Sequence, residues 1–171
     1  MAHALLRAAS PLMGTQVRAI LNLCDSLQSR SWPPFAVGKK TVGPWKKSEV
    51  IEPAALAGAL QSAHPPVVFS VAFPVLYRSR HVLHAIEAGP GSKSEGLETL
   101  KKAAAAYPKN ADIVIYCGCC PMTKCPNVRP AYRTLKDMGF TNVRVLNIAT
   151  NMHEDWFAKD YPSTTVQSEA K

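Results

Sequence analysis

The chain has 171 residues, 47% hydrophobic and 19% charged, with a formal net charge of +8. This length suits one ordinary α/β domain plus an extension, and the composition excludes wholesale disorder. There is no apolar run of the roughly 18 residues that a membrane-spanning helix needs. The charge is unevenly placed. Residues 1–49 carry seven Lys/Arg against two Asp/Glu, and residues 50–171 carry thirteen against ten. A nucleic-acid module would gather its basic residues on the folded part, with aromatics among them, so nucleic acid is not an expected partner.

Residues 1–48 read as an N-terminal extension combining a candidate leader and a linker. Short apolar pieces flank Arg7 and Arg18, Val17 to Leu27 suits an amphipathic helical turn or two, and residues 31–48 are rich in proline, glycine and lysine. The compartment stays open between exported or periplasmic and cytoplasmic. From residue 49 to 163 a regular pattern follows. Pro53 opens a helix through Gln61 with Leu56 and Leu60 on one side, and Pro65-Pro66 ends it. Val67 to Val71 is a compact β-branched run that predicts a buried strand, and Val82-Leu83 a shorter one. Ser92 and Glu95 form a capping-box pattern ahead of a helix running to about Tyr107. Ile113 to Tyr116 is the second strong strand. Val128 to Met138 predicts a helix that stops at Gly139. Val143 to Leu146 is another strand, and Trp156 and Phe157 fall in a short final helix. Residues 164–171 are a tail. Strands alternating with helices predict an α/β fold, a mostly parallel central sheet with helices on both faces.

Four of the five cysteines, Cys117, Cys119, Cys120 and Cys125, fall within nine residues, directly after the strand ending at Tyr116. A disulfide framework spreads its cysteines along the chain, so this clustering points to local thiol or metal chemistry. In parallel sheets ligands bind at the carboxyl edge, where this loop lies. Loop amides and helix N-terminal N–H groups there favour a thiolate. Gly118 permits a close turn, and with Cys119 it belongs to the cradle expected to hold substrate. Lys124 and Arg129 supply positive charge for an anionic one. Such a site suits sulfur transfer through a cysteine persulfide. The alternative is a metal shell of Cys117, Cys119, Cys120 and Cys125 for zinc or copper(I), although the adjacent Cys119-Cys120 pair would strain a tetrahedral arrangement. A further option is redox chemistry, in which one cysteine resolves a persulfide or sulfenate on another as a disulfide.

Several spaced features resemble rhodanese-like domains. Ile113 to Cys117 resembles the strand and active-site cysteine. Ala131, Leu135, Gly139-Phe140, Asn142-Val143 and Val145-Leu146 follow the next helix, Gly-Phe corner and strand. Trp156 with Tyr161-Pro162 resembles the closing segment, and Ser70-Val71, Tyr77, His81-Val82 and Ala85 keep the upstream register. The resemblance implies a rhodanese-like fold and sulfurtransferase activity. It implies Cys117 as nucleophile, with Cys120 and Cys125 as alternatives, and no resident metal or cofactor. The implied partners are a small sulfur donor such as thiosulfate and a thiol acceptor. The oligomeric state is not addressed by the sequence. Ser70, Ala72, Leu76, Arg80 and Asp160 stand where the family has Asp, Arg, Glu, Gly and Gly, so the polar network in front of the sheet must differ. The loop is longer than the common form, and its Cys-Gly-Cys-Cys-Pro…Cys-Pro-Asn pattern resembles a cysteine-rich branch of the family.

Overall fold

The computed structural model describes residues 45–166. The expected helical turns at 17–27, Cys24 and most of the tail lie outside the described residues. Five parallel strands form the central sheet in the order β1-β6-β5-β2-β4. They are β1 (Val50–Ile51), β2 (Val67–Ser70), β4 (Ile86–Glu87), β5 (Ile113–Tyr116) and β6 (Val143–Leu146). The helices are α1 (Pro53–Ala59), α2 (Pro74–Ser79), α3 (Ser94–Ala104), α4 (Val128–Asp137) and α5 (Met152–Asp155). A small antiparallel pair, β3 (His81–Val82) and β7 (Ser163–Thr164), stands apart from the main sheet.

The β-branched runs become β2, β5 and β6 because both faces of a parallel sheet are covered, so most residues of such a strand are buried among apolar side chains, while Arg144 of β6 reaches out to pair with Asp112. Successive side chains alternate between faces. Phe69, Ile113, Ile115, Val143 and Val145 pack with Leu100 and Ala104 of α3 and with Ala131 and Leu135 of α4. Val68, Val114, Tyr116 and Leu146 pack on the other face with Leu56 of α1, Ile148 and Trp156. Burying each large side chain in these layers contributes about 1.5–3 kcal/mol, so the two faces hold the edge of β5 firmly. The α/β architecture with helices on both faces is thus the one expected.

Some boundaries differ. No capping box opens α3: the helix starts at Ser94 with Lys93 as its N-cap. The Ser92 N–H instead donates to Asn127 Oδ1 at 3.0 Å, a tertiary partner that no local pattern reveals. Helix α2 was not expected. It has no buried residue, hence no apolar period to read. Strands β1, β4 and β7 have two residues each, too few to show alternation. Trp156 lies between α5 and a 3-10 turn, Phe157–Lys159, fully buried, with its indole N–H donating to Pro162 O at 3.1 Å. Gly139 closes α4 at φ 89°, and Asp160 adopts φ 52° where the resembling family has glycine. Trp45, at the end of the stretch read as linker, packs edge-on against Tyr132 of α4 at 5.1 Å. Among the described residues no helix is long and apolar enough to cross a membrane.

Candidate active site

Strand β5 ends at Tyr116, and the next residue, Cys117, lies at the carboxyl edge of the sheet with 4% of its surface exposed. Tyr116 beneath it is fixed by its own hydroxyl, which accepts the Val82 N–H at 3.2 Å. Burial keeps that phenol protonated far above its ordinary range, with the bond to Val82 opposing. The chain then turns at Gly118, which holds φ 81°. A side chain there would strike Met152, whose N–H donates to Gly118 O at 3.0 Å. Met122 N–H donates to Ile148 O at 2.8 Å, so the far side of the loop is pinned as well.

Three groups converge on the Cys117 sulfur. The Asn127 amide Nδ2 donates to it at 3.1 Å, and Cys119 Sγ lies 3.3 Å away. The hydrogen bond from the Cys125 thiol lowers the Cys117 pKa most, burial opposes it, and the Cys119 backbone N–H and Asn127 lower it further, to about 6. Donors to the charged form outweigh desolvation here. The proton stays on Cys125: its bond to Cys117, burial and the charge of Cys117 all push it upward. Cys119 is pushed up to about 12 by partial burial of its sulfur, and by the neighbouring Cys120 and Cys117 sulfurs.

Asn127 is the residue that sequence reasoning missed. It is 1% exposed and precedes α4. An Asn there reads as a helix cap, but its side chain makes no cap bond. Its Oδ1 is held by the Ser92 N–H, which turns Nδ2 toward Cys117. Gly91 permits this approach, because a side chain on it would collide with the Asn127 backbone. The expected field of helix N-terminal amides acts elsewhere: the N–H groups of Asn127 and Val128 lower Cys125, not Cys117. Cys117 is served by a side-chain amide, a loop N–H and a thiol.

A cavity of about 300 Å³ opens on Cys117, Gly118 and Cys119. Its lining also includes Leu76, Tyr77, Ser79, Arg80, His153 and Phe157. Four positions that depart from the family resemblance, Ser70, Ala72, Leu76 and Arg80, all line it. The Arg80 guanidinium rests over the Phe157 ring at 4.7 Å, and its Nε donates to Ser163 Oγ at 2.9 Å.

The expected site residues are only partly brought together. Cys117, Gly118 and Cys119 share the cavity. Cys120, half-buried, touches Cys119 at 3.2 Å, and Cys125 is buried behind Cys117. Lys124 is exposed and is not among the cavity-lining residues. Arg129 lies over the Trp45 ring at 4.4 Å and lines a different hollow with Glu49, Tyr132 and Arg133. The guanidinium that lines the cavity is therefore that of Arg80. His81, buried and stacked on Tyr77 at 3.8 Å, is a packing residue.

The sulfurs of Cys117, Cys119 and Cys125 lie within 4.8 Å of one another. Thiolates around a metal bound at about 2.3 Å stand close to 4 Å apart, so these three could hold a soft cation. Cys120 falls outside that group.

Solved structures with this fold exist. The crystal structure of the Alr3790 protein from Anabaena sp. is similar, with a TM-score of 0.53, 18% identity, and coverage of 70% of this chain and 86% of that one. The solution structure of the rhodanese-like domain of the same protein gives a TM-score of 0.50 at 18% identity, covering 72% and 83%. A single-domain sulfurtransferase of Saccharomyces cerevisiae, RDL2, gives 0.50 at 13% identity, covering 70% and 98%. No protein-family model matches the sequence, and no curated protein matches it. The chain has the rhodanese-like fold, with a cluster of cysteines at the carboxyl edge of its sheet.

Proposed function

We propose that the protein is a sulfurtransferase that carries sulfane sulfur on Cys117. The observation that carries this reading is a buried thiol with a depressed pKa, held by Asn127 and Cys125 at the floor of an open cavity. The similarity in fold to a yeast sulfurtransferase points the same way. In the first step the Cys117 thiolate attacks the outer sulfur of thiosulfate. The new bond joins Cys117 Sγ to that sulfur, the bond to the sulfonate sulfur breaks, and sulfite leaves with the electron pair. In the second step a thiol acceptor removes the outer sulfur and Cys117 returns to a thiolate. Asn127 and the Cys119 N–H stabilise the charge before loading and after release, while Arg80 attracts the anionic donor.

A metal or sulfur carrier using Cys117, Cys119 and Cys125 is the second reading, favoured by the spacing of their sulfurs. One experiment separates the two. Reduced, metal-free protein is mixed with thiosulfate and the sulfite released is counted. The expected result is a burst of about one sulfite per chain, with Cys117→Ser slower by about a thousandfold or more. A wild type that releases no sulfite and gains no sulfur overturns the reading. Copper(I) or zinc retained by protein purified without chelator would then favour the carrier.

A further inference from the structure

Cys119 faces the same cavity as Cys117 and is exposed where Cys117 is buried. Their sulfurs are 3.3 Å apart, within the spacing of about 3–3.5 Å at which atoms are placed to react. The turn between them is held by the left-handed Gly118 and by its packing and hydrogen bond with Met152. We propose that Cys119 is the resolving thiol of the site, which discharges the Cys117 persulfide as sulfide and leaves a Cys117–Cys119 disulfide. This inference rests on the persulfide reading above and names the first acceptor.

The step balances within the chain. Cys119 loses its proton, and its sulfur forms a bond to Cys117 Sγ. The bond from Cys117 Sγ to the outer sulfur breaks. The outer sulfur leaves with the electron pair and takes up the proton, so it is reduced to sulfide while two cysteines are oxidised to a disulfide. A dithiol reductant resets the site. It attacks the accessible Cys119 sulfur and expels Cys117 as a thiolate, the leaving group that Asn127 stabilises. Over one cycle thiosulfate and a dithiol become sulfite, sulfide and the oxidised dithiol. The other cysteines fit this role less well. Cys125 is buried, out of reach of an external reductant. Cys120 contacts the Cys119 sulfur and is not among the residues lining the cavity.

The test loads reduced, metal-free full-length protein with thiosulfate, without reductant, and follows sulfite, sulfide and intact mass in wild type and Cys119→Ser. Disulfides are mapped by peptide mass spectrometry. Wild type should release about one sulfide per chain and end with the Cys117–Cys119 disulfide, which dithiothreitol reopens. Cys119→Ser also loses a sulfur contact to Cys117, so loading is read by stoichiometry: the variant should still release about one sulfite per chain but keep the persulfide, with sulfide release per loaded chain slowed about tenfold or more. Sulfide release at the wild-type rate from Cys119→Ser, a stable persulfide in wild type, or a disulfide joining any other pair overturns the resolving role and leaves the persulfide reading standing. Absence of sulfite and of bound sulfur in both proteins overturns the persulfide reading itself. Cys119 is exposed, so its replacement leaves the core intact.

Discussion

Cys117 and Cys119 are the same side chain two residues apart, and they differ in almost every chemical respect. Cys117 is buried against an amide and a thiol donor, which hold its pKa near 6. Cys119 is exposed, with its sulfur between two others, and is pushed up to about 12. The left-handed turn at Gly118 separates the two environments. The contrast shows that a thiol's reactivity follows the donors aimed at it rather than its exposure alone.

The largest expected effect is on alkylation. The fraction of Cys117 present as thiolate rises as pH climbs through about 6 and is nearly complete at neutral pH, because its pKa is lowered. Cys119 stays protonated until far more alkaline pH, because its pKa is raised. Peptide mapping after iodoacetamide at pH 7 should find Cys117 modified about a thousandfold faster. Equal rates would erase the comparison.

Asn127→Ala should narrow it. Losing a hydrogen bond to a charged group costs about 1.5–3 kcal/mol, so sulfite release should slow roughly tenfold to a hundredfold and the Cys117 alkylation midpoint should move upward. Asn127→Asp sharpens the point. Its carboxylate can still accept the Ser92 N–H, but it sets a negative charge beside the thiolate, so the midpoint should rise although that bond survives. An unchanged midpoint in both variants would remove Asn127 from the site.

The smallest effect concerns the two arginines. Arg80 lines the cavity and Arg129 lies on Trp45. Arg80→Ala should raise the KM for thiosulfate about threefold to fivefold, as expected for a partly solvated charge, whereas Arg129→Ala should leave it within about twofold. The reverse pattern would move the anion site to the hollow that Arg129 lines with Trp45 and Arg133.

The long strands and the helix α4 were legible because β-branched runs and a 3.6-residue period with a glycine stop are local signals. The cysteine cluster was legible from spacing alone, and so was its place after β5. The two-residue strands and α2 were not, since they carry too few buried residues to leave a pattern. Lys124 and Arg129 drew notice as the charges nearest in sequence, whereas the cavity takes its cation from Arg80, nearly forty residues upstream of Cys117.

By itself, then, the sequence determined the alternation of strands and helices, the carboxyl-edge position of the thiols and the rhodanese-like resemblance. These follow from apolar periodicity and from residues adjacent in the chain. Only the tertiary structure decided which thiol is ionised. That choice depends first on the Cys125 thiol that the loop brings back to Cys117, then on the Cys119 N–H and on Asn127, whose orientation is set by the Ser92 N–H thirty-five residues away and by the space that Gly91 leaves open. Hydrogen-bond donors act through distance in space, and no local pattern in a sequence encodes that distance.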